Sequence, residues 1–227
     1  DWFVRRGMLV EATEHSLKAG DLSRAADLVE KQGADLLNQE DNSMLRRWLD
    51  SFPTDVTYRR PYLNTLQAWL QINEMDLAAA EKSLVEAEKS LAELSANGPA
   101  MSPDTANLIT DVRLLAETLA YLRHGEPEER KINRVGKQYD DDDPLSQGRY
   151  LILKAYHQRA GGHLEQSIKT FQQATEANRL AGSFLGTAFS ILQLGFVQFL
   201  RADYLTAERT FRRGTEFALQ ENATDRP

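Results

Sequence analysis

The sequence predicts an all-α fold, a right-handed superhelix of antiparallel helix pairs with tetratricopeptide-like repeats, and three observations carry that expectation. The first is a frame that returns along the chain. A small residue precedes an aromatic, and a capping residue and a second small residue follow, as in Ala68-Trp69 with Asp76 and Ala80. The frame recurs in Ala155-Tyr156 with His163 and Ser167 and in Gly195-Phe196 with Asp203 and Ala207, the two small residues standing 12 apart each time. A partial copy is Gly20-Asp21-Leu-Ser-Arg-Ala25. The copies return after 87 and 40 residues, that is, in units of about 43, a period of stacked helical hairpins. The second observation is the chemistry of the short turns, where helix-ending residues are followed at once by helix-capping ones. The third is that no stretch shows β-branched alternation bounded by turn residues, so no strand is expected.

Taken in order, residues 2–31 read as a short helix and a helical hairpin. Leu9, Ala12, His15, Leu17 and Ala19 carry one arm. Gly20 ends it, and Asp21 caps the next, whose Ala25, Leu28 and Val29 face inward. Residues 34–52 continue as one or two short helices, with Leu36, Leu37, Leu45, Trp48 and Leu49 at helical spacing. Pro53 stops them, residues 53–60 are a connector, and Pro61 opens the next helix. The hairpin over 62–94 carries the clearest frame, and 95–102 reads as a loop before Ser102-Pro103 starts another hairpin, 104–123 and 127–139. The second arm of that hairpin is weak, with Arg130 where the frame wants alanine. Hairpins over 145–180 and 183–220 close the chain. The helix over 184–200 is apolar nearly all round, a pattern of helices packed on several sides, so further protein beyond Pro227 is expected.

Composition limits the function. The 227 residues are 41% hydrophobic and 27% charged, enough to bury a core, and the net charge of −7 argues against nucleic acid or an anionic membrane as a direct partner. No cysteine is present, which removes disulfide and thiolate chemistry and fits the cytoplasm. No apolar run approaches the roughly 18 residues of a membrane span. The chain opens on Asp1 rather than methionine, so a piece of a longer protein is expected.

Motifs for catalysis are missing. There is no Gly-x-x-x-x-Gly-Lys, Gly-x-Gly-x-x-Gly or His-Glu-x-x-His, and His15, His124, His157 and His163 are scattered, so no enzyme activity, cofactor or metal is expected. Glu11 stands at helical spacing from His15 and reads as a surface pair. Asp140-Asp-Asp-Asp143 lacks the glycine and the terminal glutamate of a calcium loop, and reads as a solvated loop ending in a cap before Pro144.

Candidate binding residues come from the frame. Trp69, Tyr156 and Phe196 share one position, and Tyr62, Arg149 and Phe189 stand seven residues earlier, which would set the six in two columns along a concave wall. Aromatic faces suit sugar rings or apolar side chains, and Arg149 suits a carboxylate or hydroxyls. The competing expectation for an aromatic at a repeated helical position is inter-helix packing. Solvent accessibility separates the two.

Several blocks together resemble a known family. Glu11-Ala-Thr-Glu-His-Ser-Leu-Lys-Ala-Gly-Asp21 with Arg24-Ala-Ala-Asp-Leu28 is similar to the Glu-Ala-Ile-x-His-Ala-Leu-x-Ala-Gly-Asp signature of MalT-type transcriptional regulators, the large ATP-binding members of the LuxR family. The likeness continues through Trp48-Leu-Asp-Ser-Phe-Pro53, Arg60-Pro-Tyr-Leu63 and Leu66-Gln-Ala-Trp-Leu70. It implies a protein with an ATPase module of the STAND class, a helical linker, an inducer-sensing superhelix and a helix-turn-helix DNA-binding domain. Residues 1–57 would be the helical lead-in and 58–227 the first part of the sensor. The partners implied are a small-molecule inducer, a sugar among the candidates, or a regulatory protein or peptide, with self-association in the full-length protein. A free-standing tetratricopeptide-like scaffold for protein–protein interaction is the alternative. A glycan-processing enzyme is a third reading that rests on the aromatics alone.

Overall fold

The computed structural model describes residues 2–38, 42–97, 103–125 and 143–224. Among them are twelve helices and no strand. They are α1 (Trp2–Arg5), α2 (Leu9–Lys18), α3 (Leu22–Asn38), α4 (Asn42–Leu49), α5 (Thr54–Tyr58), α6 (Pro61–Asn73), α7 (Leu77–Asn97), α8 (Pro103–His124), α9 (Pro144–Ala160), α10 (Leu164–Leu180), α11 (Phe184–Leu200) and α12 (Tyr204–Thr224). The chain is all-α, and its helices pack chiefly as sequence neighbours: α2 with α3, α6 with α7, and α9 through α12 each with the next. Its contacts divide it into two compact units, Asp1–Leu119 and Ala120–Pro227. No contact boundary falls at 57/58, because α3, α4 and α5 all pack on α6. No described helix is long and apolar enough to cross a membrane.

One turn is used six times among the described residues. At its centre a residue adopts positive φ: Gly7 (75°), Gly20 (73°), Met75 (62°), Gly162 (77°), Gly182 (67°) and Ala202 (63°). The next residue sends its N–H back to a carbonyl five positions earlier, in Met8→Phe3, Asp21→Ser16, Asp76→Gln71, His163→Gln158, Ser183→Asn178 and Asp203→Gln198, at 2.8–3.0 Å. The left-handed residue itself bonds three back, as in Gly20→Leu17 and Ala202→Phe199, which completes the paired closure of a Schellman motif. In four of the six, the side chain of that next residue then caps the following helix. Asp21, Asp76, Ser183 and Asp203 accept from the N–H of Arg24, Ala79, Gly186 and Thr206. His163 makes no such bond, so the capping role expected of it is absent.

The residues at the 12-residue offset are all buried: Ala68 and Ala80, Ala155 and Ser167, and Gly195 and Ala207. A Cβ at Gly195 would stand 2.7 Å from the Phe211 ring, so the small residue there admits a side chain of the hairpin's second helix. Ser167 also donates its hydroxyl to the Ala155 carbonyl at 2.8 Å. A second repeated pair lies three residues further along each helix. Ser83 donates to Gln71 Oε1 at 2.8 Å and Thr210 to Gln198 Oε1 at 2.7 Å. The equivalent residues in the middle hairpin are Gln158 and Thr170, where the buried Gln158 Oε1 makes no hydrogen bond.

Several elements differ from expectation. The stretches 2–31 and 34–52 are not separated at 32–33: α3 runs through Gly33, where a Cβ would stand 2.4 Å from a Leu66 methyl, so glycine lets α6 come close to α3. The 53–60 connector holds α5, and α7 extends to Asn97, into the stretch read as a loop. His15 stacks near the Phe3 ring at 5.7 Å, with no bond to Glu11. Asp143 caps α9, accepting from the Leu145 N–H at 3.1 Å, whereas residues 140–142, the 127–139 helix and the Ser102 cap lie outside the described residues.

The two non-glycine left-handed residues carry a strain that glycine does not, and Met75 is well exposed, so its side chain contributes little packing. Met75→Gly and Ala202→Gly are each expected to stabilise the fold by about 0.5–1 kcal/mol. Urea unfolding checks this, and Gly20→Ala or Gly162→Ala supplies the opposite sign.

Candidate functional site

Of the six candidate residues, Tyr62 and Trp69 belong to the first unit and the other four to the second. Trp69 is 7% exposed and Tyr156 6%, which places both in the core and corrects the expectation that they line a groove. Tyr62 and Arg149 are half-buried. Phe189 and Phe196 are 38% and 41% exposed. The cause of this division is the number of neighbouring helices over the same frame position. Tyr156 is stacked on Tyr121 of α8 at 4.1 Å, meets Phe171 of α10 edge-on at 5.6 Å and has Phe189 of α11 at 6.2 Å. Phe196 has Arg159 on one side and is otherwise open.

Within the second unit the structure brings two of the six, Tyr156 and Phe196, against a residue that the frame did not single out, while Phe189 meets only the Tyr156 ring. Arg159, half-buried near the end of α9, lays its guanidinium 4.8 Å from the Tyr156 ring centre and 5.3 Å from that of Phe196. It donates to the Tyr121 hydroxyl at 2.6 Å and to Gln193 Oε1 at 2.9 Å. Side chains from α8, α9 and α11 therefore converge on one cation held by neutral groups and aromatic faces, an arrangement that favours guanidinium over ammonium.

The phenols stay neutral. Burial pushes Tyr156 well above the ordinary tyrosine range, with Tyr121 adding to the rise and Arg159 opposing it. Burial also raises Tyr121, and the adjacent Arg159 works against that rise. Among the described residues Arg159 has no carboxylate partner. Two of its five donor hydrogens are used by these neighbours. No group of His, Cys, Asp or Glu that could hold a metal occurs among the described residues.

Arg159 was legible in one respect only. It stands three residues after the frame aromatic, one helical turn along the same face as Tyr156. Tyr121 and Gln193 are 38 and 34 residues away from it in sequence, and nothing in local spacing announces them. The paired Gln and hydroxyl residues at the repeated offset were visible in the sequence and mark the register of the hairpins.

Burial gives a direct expectation. Trp69→Ala and Tyr156→Ala are each expected to cost about 3–5 kcal/mol of stability, whereas Phe196→Ala, already exposed, costs about 1 kcal/mol or less. Equal losses at all three positions in chemical denaturation would contradict the placement.

A stretch of 71 residues is 38% identical to the serine/threonine-protein kinase PknK of Mycobacterium tuberculosis (strain ATCC 25618 / H37Rv) and of Mycobacterium bovis (strain ATCC BAA-935 / AF2122/97), covering 31% of this chain and 6% of each kinase. No protein-family model matches the chain, and no solved structure matches it.

Proposed function

We propose that the chain is the ligand-sensing helical-repeat region of a MalT-type bacterial transcriptional activator of the LuxR family. Its hairpins would coil as a right-handed, tetratricopeptide-like superhelix, with 1–57 as lead-in and 58–227 as sensor. The region controls an ATPase of the STAND class and a DNA-binding domain outside it, in the cytoplasm, and is not itself an enzyme. The signature over Glu11–Asp21 and the recurrent hairpin frame support this reading. The similarity to a short stretch of a much larger protein kinase is compatible with a helical segment used inside multidomain signalling proteins.

The observation that carries a sensing role is Arg159, a cation between two aromatic rings with no carboxylate among the described residues. A small inducer with ring hydroxyls or a carboxylate suits it: the oxygens take the remaining guanidinium hydrogens while Phe189 and Phe196 cover the apolar side of the ligand. Coupling follows if the ligand prefers the activated form, because binding then shifts the population toward it. A scaffold for a regulatory protein is the second reading, and the exposed apolar row on α11 favours it.

A thermal-shift screen of sugars, sugar acids and short peptides tests the proposal, since a ligand at about 100 times its Kd adds about 2.7 kcal/mol to apparent stability. A hit is expected whose shift disappears in Arg159→Gln while the unliganded variant remains folded. A shift retained in full by Arg159→Gln, or the absence of any binder, counts against it. The same chain is expected neither to hydrolyse ATP nor to bind DNA at physiological salt.

A further inference from the structure

Around Arg159 the groups with hydrogen-bonding capacity left over are donors. The guanidinium gives one hydrogen of Nη1 to Gln193 Oε1 and one of Nη2 to the Tyr121 hydroxyl, which leaves Nε–H and one hydrogen on each terminal nitrogen. The Tyr121 oxygen accepts that bond, and its own hydrogen has no partner among the described residues. Burial raises the Tyr121 hydroxyl above its ordinary range, with Arg159 opposing the rise, so the hydrogen is retained at neutral pH. Gln193 likewise accepts through its oxygen, and its amide N–H groups have no partner among the described residues.

The acceptors in the same region are already used. The last carbonyls of α9, on His157, Gln158 and Arg159, take the N–H groups of Gly161, His163 and Gly162 in the turn to α10. Glu165 and Asp203, the carboxylates at the starts of α10 and α12, are both held by Arg201. A ligand at Arg159 therefore meets N–H and O–H groups and few lone pairs. An ionised carboxylate only accepts, and it can take two parallel bonds from a guanidinium edge. A sugar hydroxyl must also place its own hydrogen, and a carboxamide must place two. In this half-buried setting such a hydrogen faces other donors and is left without a partner.

We propose, resting on the sensing role given above, that the Arg159 site takes a monocarboxylate with an apolar body and rejects neutral sugars. The carboxylate lies against the edge of the guanidinium, with the Tyr121 hydroxyl and the Gln193 amide as further donors. One cation suits one negative charge. The body is apolar because the side chain that flanks the guanidinium and remains open to solvent is Phe196, 41% exposed and 5.3 Å from the guanidinium carbon at its ring centre, and a phenyl ring offers no hydrogen bond. The other flank is the buried Tyr156 ring, which is closed by its stack on Tyr121. The ligand thus enters beside Phe196 and leaves its apolar part on that ring.

The test is an NMR titration of the chain Asp1–Pro227 with benzoate, 3-phenylpropionate and hexanoate, with the amide of each, and with glucose and maltose, at ionic strength matched by sodium chloride. Each compound is taken to about 20 mM, which nearly fills a site of about 1 mM Kd. Saturable shifts in α9 and α11 are expected for at least one carboxylate, with its amide weaker by about ten-fold or more and neither sugar binding. Gln193→Glu keeps the shape of the side chain and gives Arg159 a carboxylate of its own. It is expected to melt no lower than the wild type and to weaken the carboxylate by about ten-fold or more. Arg159→Lys keeps the charge, loses the planar fork and is expected to weaken it as well. A carboxylate bound no better than its amide, or bound equally by Gln193→Glu, overturns the proposal, as does silence from all three carboxylates. A sugar whose binding is lost in Arg159→Gln overturns this ligand class and leaves the sensing role standing, whereas a carboxylate bound in full by Arg159→Gln removes both.

Discussion

The hairpins depend on a backbone closure in which a single left-handed residue lets the following N–H return to a carbonyl five positions back. In the three hairpins that carry the full frame, that carbonyl belongs to Gln71, Gln158 and Gln198. The Gln71 and Gln198 side chains also receive a hydroxyl from the residue 12 positions on. One residue thus ties the turn and the face between the two helices. Once the turn is fixed, the small frame residues are buried within the hairpin, and in the middle hairpin Ser167 bonds directly to the Ala155 carbonyl. The 12-residue offset is a consequence of turn geometry rather than of sequence similarity as such. It therefore persists from Ala68 and Ala80 to Gly195 and Ala207 although the residues between them differ.

The features legible in the sequence were those set within a few residues of each other. Asp21, Asp76, Asp143 and Asp203 were readable as caps because an N-cap carboxylate bonds an N–H two or three residues away. The continuity of α3 between the stretches 2–31 and 34–52 was not legible, because the helical Gly33 is matched to a distant neighbour, Leu66, and no local pattern announces a glycine that lets another helix approach. His163 occupies the capping position without capping, and there the turn is held by its backbone bonds alone. The Arg159 cluster lay beyond local reading, since it joins three helices separated by more than 30 residues.

The same frame position gives opposite environments in Tyr156 and Phe196, and the side chains themselves do not account for it. Phenylalanine is the more apolar of the two, yet it is the exposed one. Burial here follows the helices alongside: Tyr156 has α8 on one flank and α11 on the other, whereas among the described residues Phe196 has a ring or cation contact with α9 alone. Sequence pattern fixes which way a side chain points from its helix. It does not fix whether another helix stands there. Aromatic residues at a repeated position are for that reason poor markers of a ligand groove until their flanks are known.

The electrostatic character of the second unit follows from that packing. Tyr121 and Tyr156 are buried enough to remain neutral, so neither can compensate the guanidinium beside them. Their rings and the Gln193 amide orient Arg159 without supplying a counter-charge of their own, in a chain whose net charge is −7. In such a chain the long-range field repels anions, and an anionic ligand must gain its affinity at short range. The geometry around Arg159 is suited to this, because a guanidinium already oriented on aromatic faces loses little conformational freedom when a carboxylate or hydroxyl pair arrives. Selectivity would then come from the shape set by Phe189 and Phe196 rather than from attraction at a distance.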